Sequence, residues 1–191
     1  MAHRAGLDEA IILRAAGEIA DANGFDQLTL AHLAERLHVR SPSLYKHVTG
    51  LDDVRRGLTL LSLHTLAECL ARAAIGKSGA ESVRAVAAAY RAFARAHPGL
   101  YTAIQRAPSR DDGPRLIAAG EEIIETMRAV LAPWRLDDTQ SIHAIRMLRA
   151  LTHGFVSLEC AGGFGIPIDL AQSYDYAVTT FIEGLNREAN R

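Results

Sequence analysis

The chain has 191 residues, 49% hydrophobic and 23% charged, with a formal net charge of −1. Those values describe an ordinary soluble globular protein, long enough to bury a proper core in one or two modest domains. The near-zero net charge argues against binding nucleic acid through bulk positive potential. Residues 1–8 hold His3 and Arg4 but no apolar segment, so no signal peptide is expected. No run of about 18 uncharged apolar residues occurs, so no membrane span is expected and the cytoplasm is the expected location. Cys69 and Cys160 fall within expected helices and read as small buried apolar residues rather than a disulfide.

A first helix is expected over 8–23, with Ile12, Ala15, Ala16 and Ile19 as its apolar stripe and Gly24 as its C′ residue. Phe25 and Leu28 cover the small core that the N-terminal helices enclose. Residues 28–48 then describe two short helices and a tight turn. Leu30, Leu33, Ala34 and Leu37 give the first of them one apolar face. His38, Val39 and Arg40 form the turn, Ser41 is the expected N-cap, and Pro42 suits the first helical position. The second helix buries only Leu44 and Val48 and leaves Pro42, Ser43, Tyr45, Lys46 and His47 outward. A short helix with that face is built to enter a DNA major groove. The alternative is an ordinary pair of packed helices, with Tyr45 lodged between them and His47 merely solvated.

A long helix is expected over 51–74, with Asp52 and Asp53 suited to its N-terminal dipole. At 1.5 Å per residue it spans on the order of 36 Å, enough to join two domains. Glycines at 76 and 79 break the chain. A fifth helix over 80–97 buries Val83, Val86, Tyr90 and Phe93, and Pro98-Gly99 ends it. A short sixth helix is expected over 100–106, followed by a polar loop over 108–114 containing Asp111, Asp112 and Gly113. The seventh carries Leu116, Ile123, Ile124, Met127 and Leu131 and stops before Pro133-Trp134. The eighth, over 137–161, opens with Asp137 and Gln140 at capping-box spacing, and the ninth covers 169–190. No strand-like alternation appears. The expected fold is all-α: a three-helix helix-turn-helix domain over 1–50 (the motif at about 29–48) and a helical ligand-binding and dimerisation domain over 51–191, about nine helices in all.

On the eighth helix Met147, Ala150, Gly154, Ser157 and Ala161 form a stripe of mostly small residues that would admit a second helix closely. The ninth carries Tyr174, Ala177, Val178, Phe181, Ile182 and Leu185, a face wide enough to bury on two sides. A homodimer through these last two helices would join four of them in a bundle, with Ala150, Gly154, Ser157, Ala161, Tyr174, Val178, Phe181, Ile182 and Leu185 at the interface. The alternative is that both stripes are core within one chain.

Residues 29–48 resemble the DNA-binding unit of the TetR (tetracycline-repressor-like) family of transcriptional regulators. Thr29, Leu33-Ala34, Val39, Ser41, Leu44-Tyr45-Lys46-His47 and Val48 carry the likeness in register. His153-Gly154, with the glycines that follow, resembles a C-terminal domain of that family named for a Trp-His-Gly signature, although Thr152 stands where the Trp would be. The resemblance implies a dimeric repressor that binds a palindromic operator in double-stranded DNA and is released by a small-molecule effector. It implies base-edge contacts from Arg40, Ser41, Pro42 and Ser43, and phosphate contacts from Thr29, Tyr45, Lys46 and His47. A family Lys at the start of the fourth helix is missing from residues 50–53. Arg36, Arg40 and Lys46 gather with His38 and His47 into a small basic face, although residues 1–56 hold seven Lys/Arg against eight Asp/Glu.

Effector-lining candidates are His64, Tyr90, Phe93, Tyr101, Met127, Trp134, His143, Met147 and Phe155, for each of which plain core packing is the alternative. No enzyme is expected. His143 and His153 lie ten apart, no helical metal-ligand motif appears, and Cys160 lacks the signature of a catalytic thiol. No cofactor or metal is expected. The other reading kept open is a ligand-sensing helical dimer that does not bind DNA.

Overall fold

The computed structural model describes residues 7–105 and 112–189, and among them it holds nine α-helices and no strand. In chain order these are α1 (Glu9–Asn23), α2 (Leu30–Arg36), α3 (Ser41–Leu44), α4 (Leu51–Ala74), α5 (Gly79–Ala96), α6 (Pro98–Ala103), α7 (Pro114–Leu131), α8 (Asp138–Cys160) and α9 (Leu170–Glu188). The local chemistry explains most of the boundaries. Asp8 caps α1 by accepting the Ile11 N–H at 2.8 Å, and Gly24, at φ 96°, ends it. Asp137 and Gln140 make the reciprocal capping box that opens α8. Asp169 caps α9 through the Ala171 N–H.

Three expected boundaries are corrected. Ser41 is the first residue of α3 and not its cap: Arg40 stands at the N-cap, and no side chain closes that end. Hydroxyl capping is therefore replaced by the backbone, with the Arg40 carbonyl accepting the Ser43 N–H at 2.8 Å. The second helix of the motif also stops at Leu44, and residues 45–47 continue as turns, with the His47 and Val48 N–H groups both donating to the Leu44 carbonyl. Finally, Pro98 begins a helix as well as ending one, because its missing N–H is harmless in a first turn. Hence α6 covers Pro98–Ala103 rather than 100–106. Arg106 and the part of the polar loop from Pro108 to Asp111 lie outside the described residues.

Contacts gather the chain into two compact units. One comprises, of the described residues, 7–64, 97–105 and 112–119; the other comprises 65–96 and 120–189. The helix-turn-helix segment thus does not close on itself at residue 50. It shares its unit with the first part of α4 and with α6. In this unit Ile12, Ala16, Leu28, Leu33, Leu44, Val54 and Leu58 are fully buried, each of the isoleucine, leucine and valine side chains contributing about 2 kcal/mol by its removal from water. α4 crosses close to α1 at Gly57, where even a Cβ would crowd the Leu13 side chain.

In the second unit α5 packs on α8 and α9. Val83, Val86, Phe93, Leu148, Val156, Tyr174, Val178 and Phe181 make its interior. No helix among the described residues is long and apolar enough to cross a membrane.

Candidate nucleic-acid interface

Thr29 begins the motif. Its side chain accepts the His32 N–H at 3.1 Å and so caps α2. α2 ends in a left-handed residue, His38 at φ 54°, and the Val39 N–H reaches back to the Ala34 carbonyl at 2.9 Å. Such a five-residue back-bond closes a helix end tightly and redirects the chain, which is how α3 comes to cross α2. Leu44 and Val48 then lock α3 and the turn after it into the core beside Leu33 and Ala34.

With those two residues committed inward, the rest of the segment has only solvent to face. Arg40, Ser41, Pro42, Lys46 and His47 are exposed and Ser43 is half-buried. Tyr45 is 59% exposed, so it is not lodged between the helices. An exposed aromatic followed in sequence by an exposed lysine and histidine offers stacking, hydrogen-bonding and charge together, as phosphate and base-edge recognition needs.

The charges differ from the expected basic face in one respect. Arg36 is held by Glu18 of α1, with Nε 3.1 Å from the carboxylate and Nη2 also bonded to it. Its charge is therefore locally balanced, and the cations left over residues 38–48 are Arg40 and Lys46, with the His38 and His47 side chains in the same segment. Glu18 is the residue that sequence spacing missed, because a contact over 18 residues leaves no local signal. At the start of α4, where the phosphate-gripping Lys is missing, Asp53 takes the Thr49 N–H at 2.9 Å. That backbone hydrogen bond, more than the nearby Arg56, holds the Asp53 carboxyl below its ordinary value, so an anion occupies this end of the helix.

The residues expected to line an effector site are dispersed. His64 and Tyr101 belong to the first unit; Tyr90, Phe93, Met127, Trp134, His143, Met147 and Phe155 belong to the second. Phe93, Tyr101, Met127 and Trp134 are buried, Tyr90 and Phe155 are half-buried, and His64 is exposed. Trp134 donates its indole N–H to Asn186 Oδ1 at 2.8 Å. His143 and Met147 face solvent on α8, Met147 at 58% exposure, so they line no interior.

The expected interface residues divide by helix. On α8 and at its C-cap, Ala150, Ser157 and Ala161 are exposed, and a Cβ added at Gly154 would meet nothing within 4 Å. On α9, Tyr174, Val178, Phe181, Ile182 and Leu185 are instead buried within a single chain. That apolar stripe packs on the chain's own α5 and α8 and leaves those five no surface for a second copy.

A charged cluster unforeseen from sequence lies in the second unit. Arg91 on α5 pairs bidentately with Glu159 on α8, at 2.8 and 2.7 Å, with only 14% and 12% of the two side chains exposed. The guanidinium lies 5.4 Å from the Phe155 ring centre and 5.0 Å from that of Tyr174. Phe164, from the α8–α9 connection, packs on Phe155. The hydrogen bond from Arg91 lowers the Glu159 carboxyl below its ordinary value and in turn raises that of Arg91, while burial raises the Tyr174 phenol. Tyr174 donates its hydroxyl to the Ala87 carbonyl at 2.8 Å and lies 3.2 Å from Oγ1 of the buried Thr152.

A helix-turn-helix with a buried inner face and a polar outer one, carried on an all-α chain with a second helical unit, has the architecture of a helical DNA-binding regulator. Residues 83–181 match the family model described as the tetracyclin repressor-like C-terminal domain. The chain is 32% identical over 185 residues to the uncharacterised HTH-type transcriptional regulator YobS of Bacillus subtilis, covering 97% of this chain and 96% of that one. It is 35% identical over 162 residues to the uncharacterised HTH-type transcriptional regulator Rv0681 of Mycobacterium tuberculosis, covering 85% and 74%. Among solved structures, the TetR family protein ActR of Streptomyces coelicolor in complex with (S)-DNPA superposes with a TM-score of 0.67 at 20% identity, over 96% of this chain and 99% of that one. The chain belongs to the TetR family of transcriptional regulators. It is a DNA-binding regulator of the helix-turn-helix type and not an enzyme.

Proposed function

We propose that the chain is a repressor that binds a palindromic operator as a homodimer and is released by a small molecule, its site of action being the cytoplasm. The observation that carries this reading is the division of residues 40–48: Leu44 and Val48 buried, Arg40, Ser41, Pro42, Tyr45, Lys46 and His47 exposed. Arg40, Ser41, Pro42 and Ser43 would read base edges, while Thr29, Tyr45, Lys46 and His47 grip phosphates. So short a reading element contacts few base pairs. Two of them on half-sites about 34 Å apart, or a multiple of that, restore the specificity that one lacks.

The second copy would dock on the outward face of α8. Ala150, Gly154, Ser157 and Ala161 allow close approach there, and Met147 and Leu158 are large apolar side chains left exposed beside them. The effector would bind within the second unit, among Tyr90, Phe93, Met127, Trp134 and Phe155. The (S)-DNPA bound by ActR, a protein of the same fold, supports a small organic molecule as its class. Its effect on operator affinity is limited to its differential affinity for the two states of the dimer.

The test is fluorescence anisotropy on duplex DNA from upstream of the chain's own coding region, over a range of salt. Salt-dependent binding is expected, and the Tyr45→Ala, Lys46→Ala double variant should lose it while remaining dimeric by sedimentation. No binding at any salt concentration would favour a ligand-sensing dimer instead, and loss of the dimer in the double variant would sink the assigned roles.

A further inference from the structure

Helix N-termini leave backbone N–H groups without acceptors in their own helix. At α6 no side chain of the adjoining segment supplies one. The acceptor comes from α1, 78 residues earlier: Asp21 Oδ1 takes the Gly99 N–H at 2.8 Å and the Leu100 N–H at 3.1 Å. Oδ2 of the same carboxylate lies 3.0 Å from His97 Nδ1. A second feature holds the two helices together. A Cβ at Gly99 would overlap the Ala20 carbonyl and the Asp21 nitrogen, so α1 and α6 meet backbone to backbone and only glycine fits. Leu100 fills the neighbouring space beside Gly17. Both helices belong to the first unit, and α1 also packs against α2. Whatever fixes α1 on α6 therefore fixes the seat of the helix-turn-helix.

We propose that Asp21 is a positioning residue for operator binding, which together with Gly99 sets the helix-turn-helix at one angle on α6 so that both α3 segments of a dimer meet their half-sites at once. The inference rests on the dimeric reading above. Every contact to one half-site comes from residues 29–48 of one protomer, so loosening the Asp21 link leaves single half-site recognition intact. It lowers the effective concentration of the second reading element, and hence the gain from binding two half-sites.

The test uses the full chain and a palindromic duplex recovered by selection from random sequence, beside the same duplex with one half-site scrambled. Both are titrated at low salt, where single half-site binding is strong enough to measure. The readout is the ratio of the two affinities. Asp21→Ala should reduce that ratio about tenfold while changing the half-site affinity by no more than about twofold. Asp21→Asn, whose amide oxygen still accepts the two N–H groups, should keep most of it. A wild-type ratio in Asp21→Ala would overturn the inference, as would an equal loss on both duplexes, which marks a purely structural role. An Asn variant as impaired as the Ala variant also overturns it, by assigning the effect to charge rather than to the cap. Equal affinity of the wild-type chain for both duplexes would instead remove the dimeric reading, and the positioning role with it.

Discussion

Leu44 and Tyr45 are neighbours in sequence with opposite duties. Leu44 is fully buried under α2, and Tyr45 stands in solvent. Leu44→Ala should therefore cost about 2–5 kcal/mol of stability, the range for a buried leucine that leaves a cavity, and lower DNA affinity only as the unit loosens. Tyr45→Ala should leave stability within about 0.5 kcal/mol, as exposed substitutions do, and weaken DNA binding directly. Urea titration of both variants beside their DNA affinities checks the division. A large stability loss in Tyr45→Ala would show that the tyrosine has a packing role after all. Arg36 shows how far a single residue can be misread from sequence. Its charge looked available to DNA, yet Glu18 of another helix already engages it.

Among the elements, the pairing of α5 with α8 has the sharpest electrostatic consequence. Arg91 and Glu159 are mostly withdrawn from water, so removing one partner strands the other. Glu159→Ala should cost about 3 kcal/mol for that reason, less whatever water reaches the exposed edge of the pair. The same pair makes stability depend on acid. Because the Glu159 carboxyl is depressed in the folded chain, its contribution is complete above the ordinary glutamate value and is lost as pH falls through that value toward the folded one. Thermal melts from neutral to acidic pH should show the wild type losing an advantage over Glu159→Gln that it holds at neutrality. A constant difference across the range would contradict the assignment.

Elements whose ends are set by local chemistry were legible in the sequence. The capping box at Asp137 and Gln140, the glycine at 24 and the extent of α4 all came from residues within a turn of each boundary. What could not be read were links across long stretches of chain. Arg91 to Glu159 spans 68 residues and Asp21 to Gly99 spans 78, and neither has a periodic signature. The α9 stripe failed differently. Periodicity reports that a face is buried but not by what, and here α5 and α8 of the same chain cover it.

For the whole molecule, the proposed dimer would give a weakly charged chain its DNA specificity by pairing two short reading elements rather than by bulk charge. Of the cations in the expected basic face, Arg40 and Lys46 are exposed within residues 40–48. A dimer presenting so few should show a moderate salt slope, and Lys46→Ala should reduce that slope by about one for each protomer bound. The measurement that tests this most directly is titration of the chain into the selected palindromic duplex across a series of salt concentrations. Saturation is expected at two protomers per duplex, with affinity at least about a thousandfold above scrambled DNA at physiological salt. Saturation at one protomer, or equal affinity for the scrambled duplex, would contradict it.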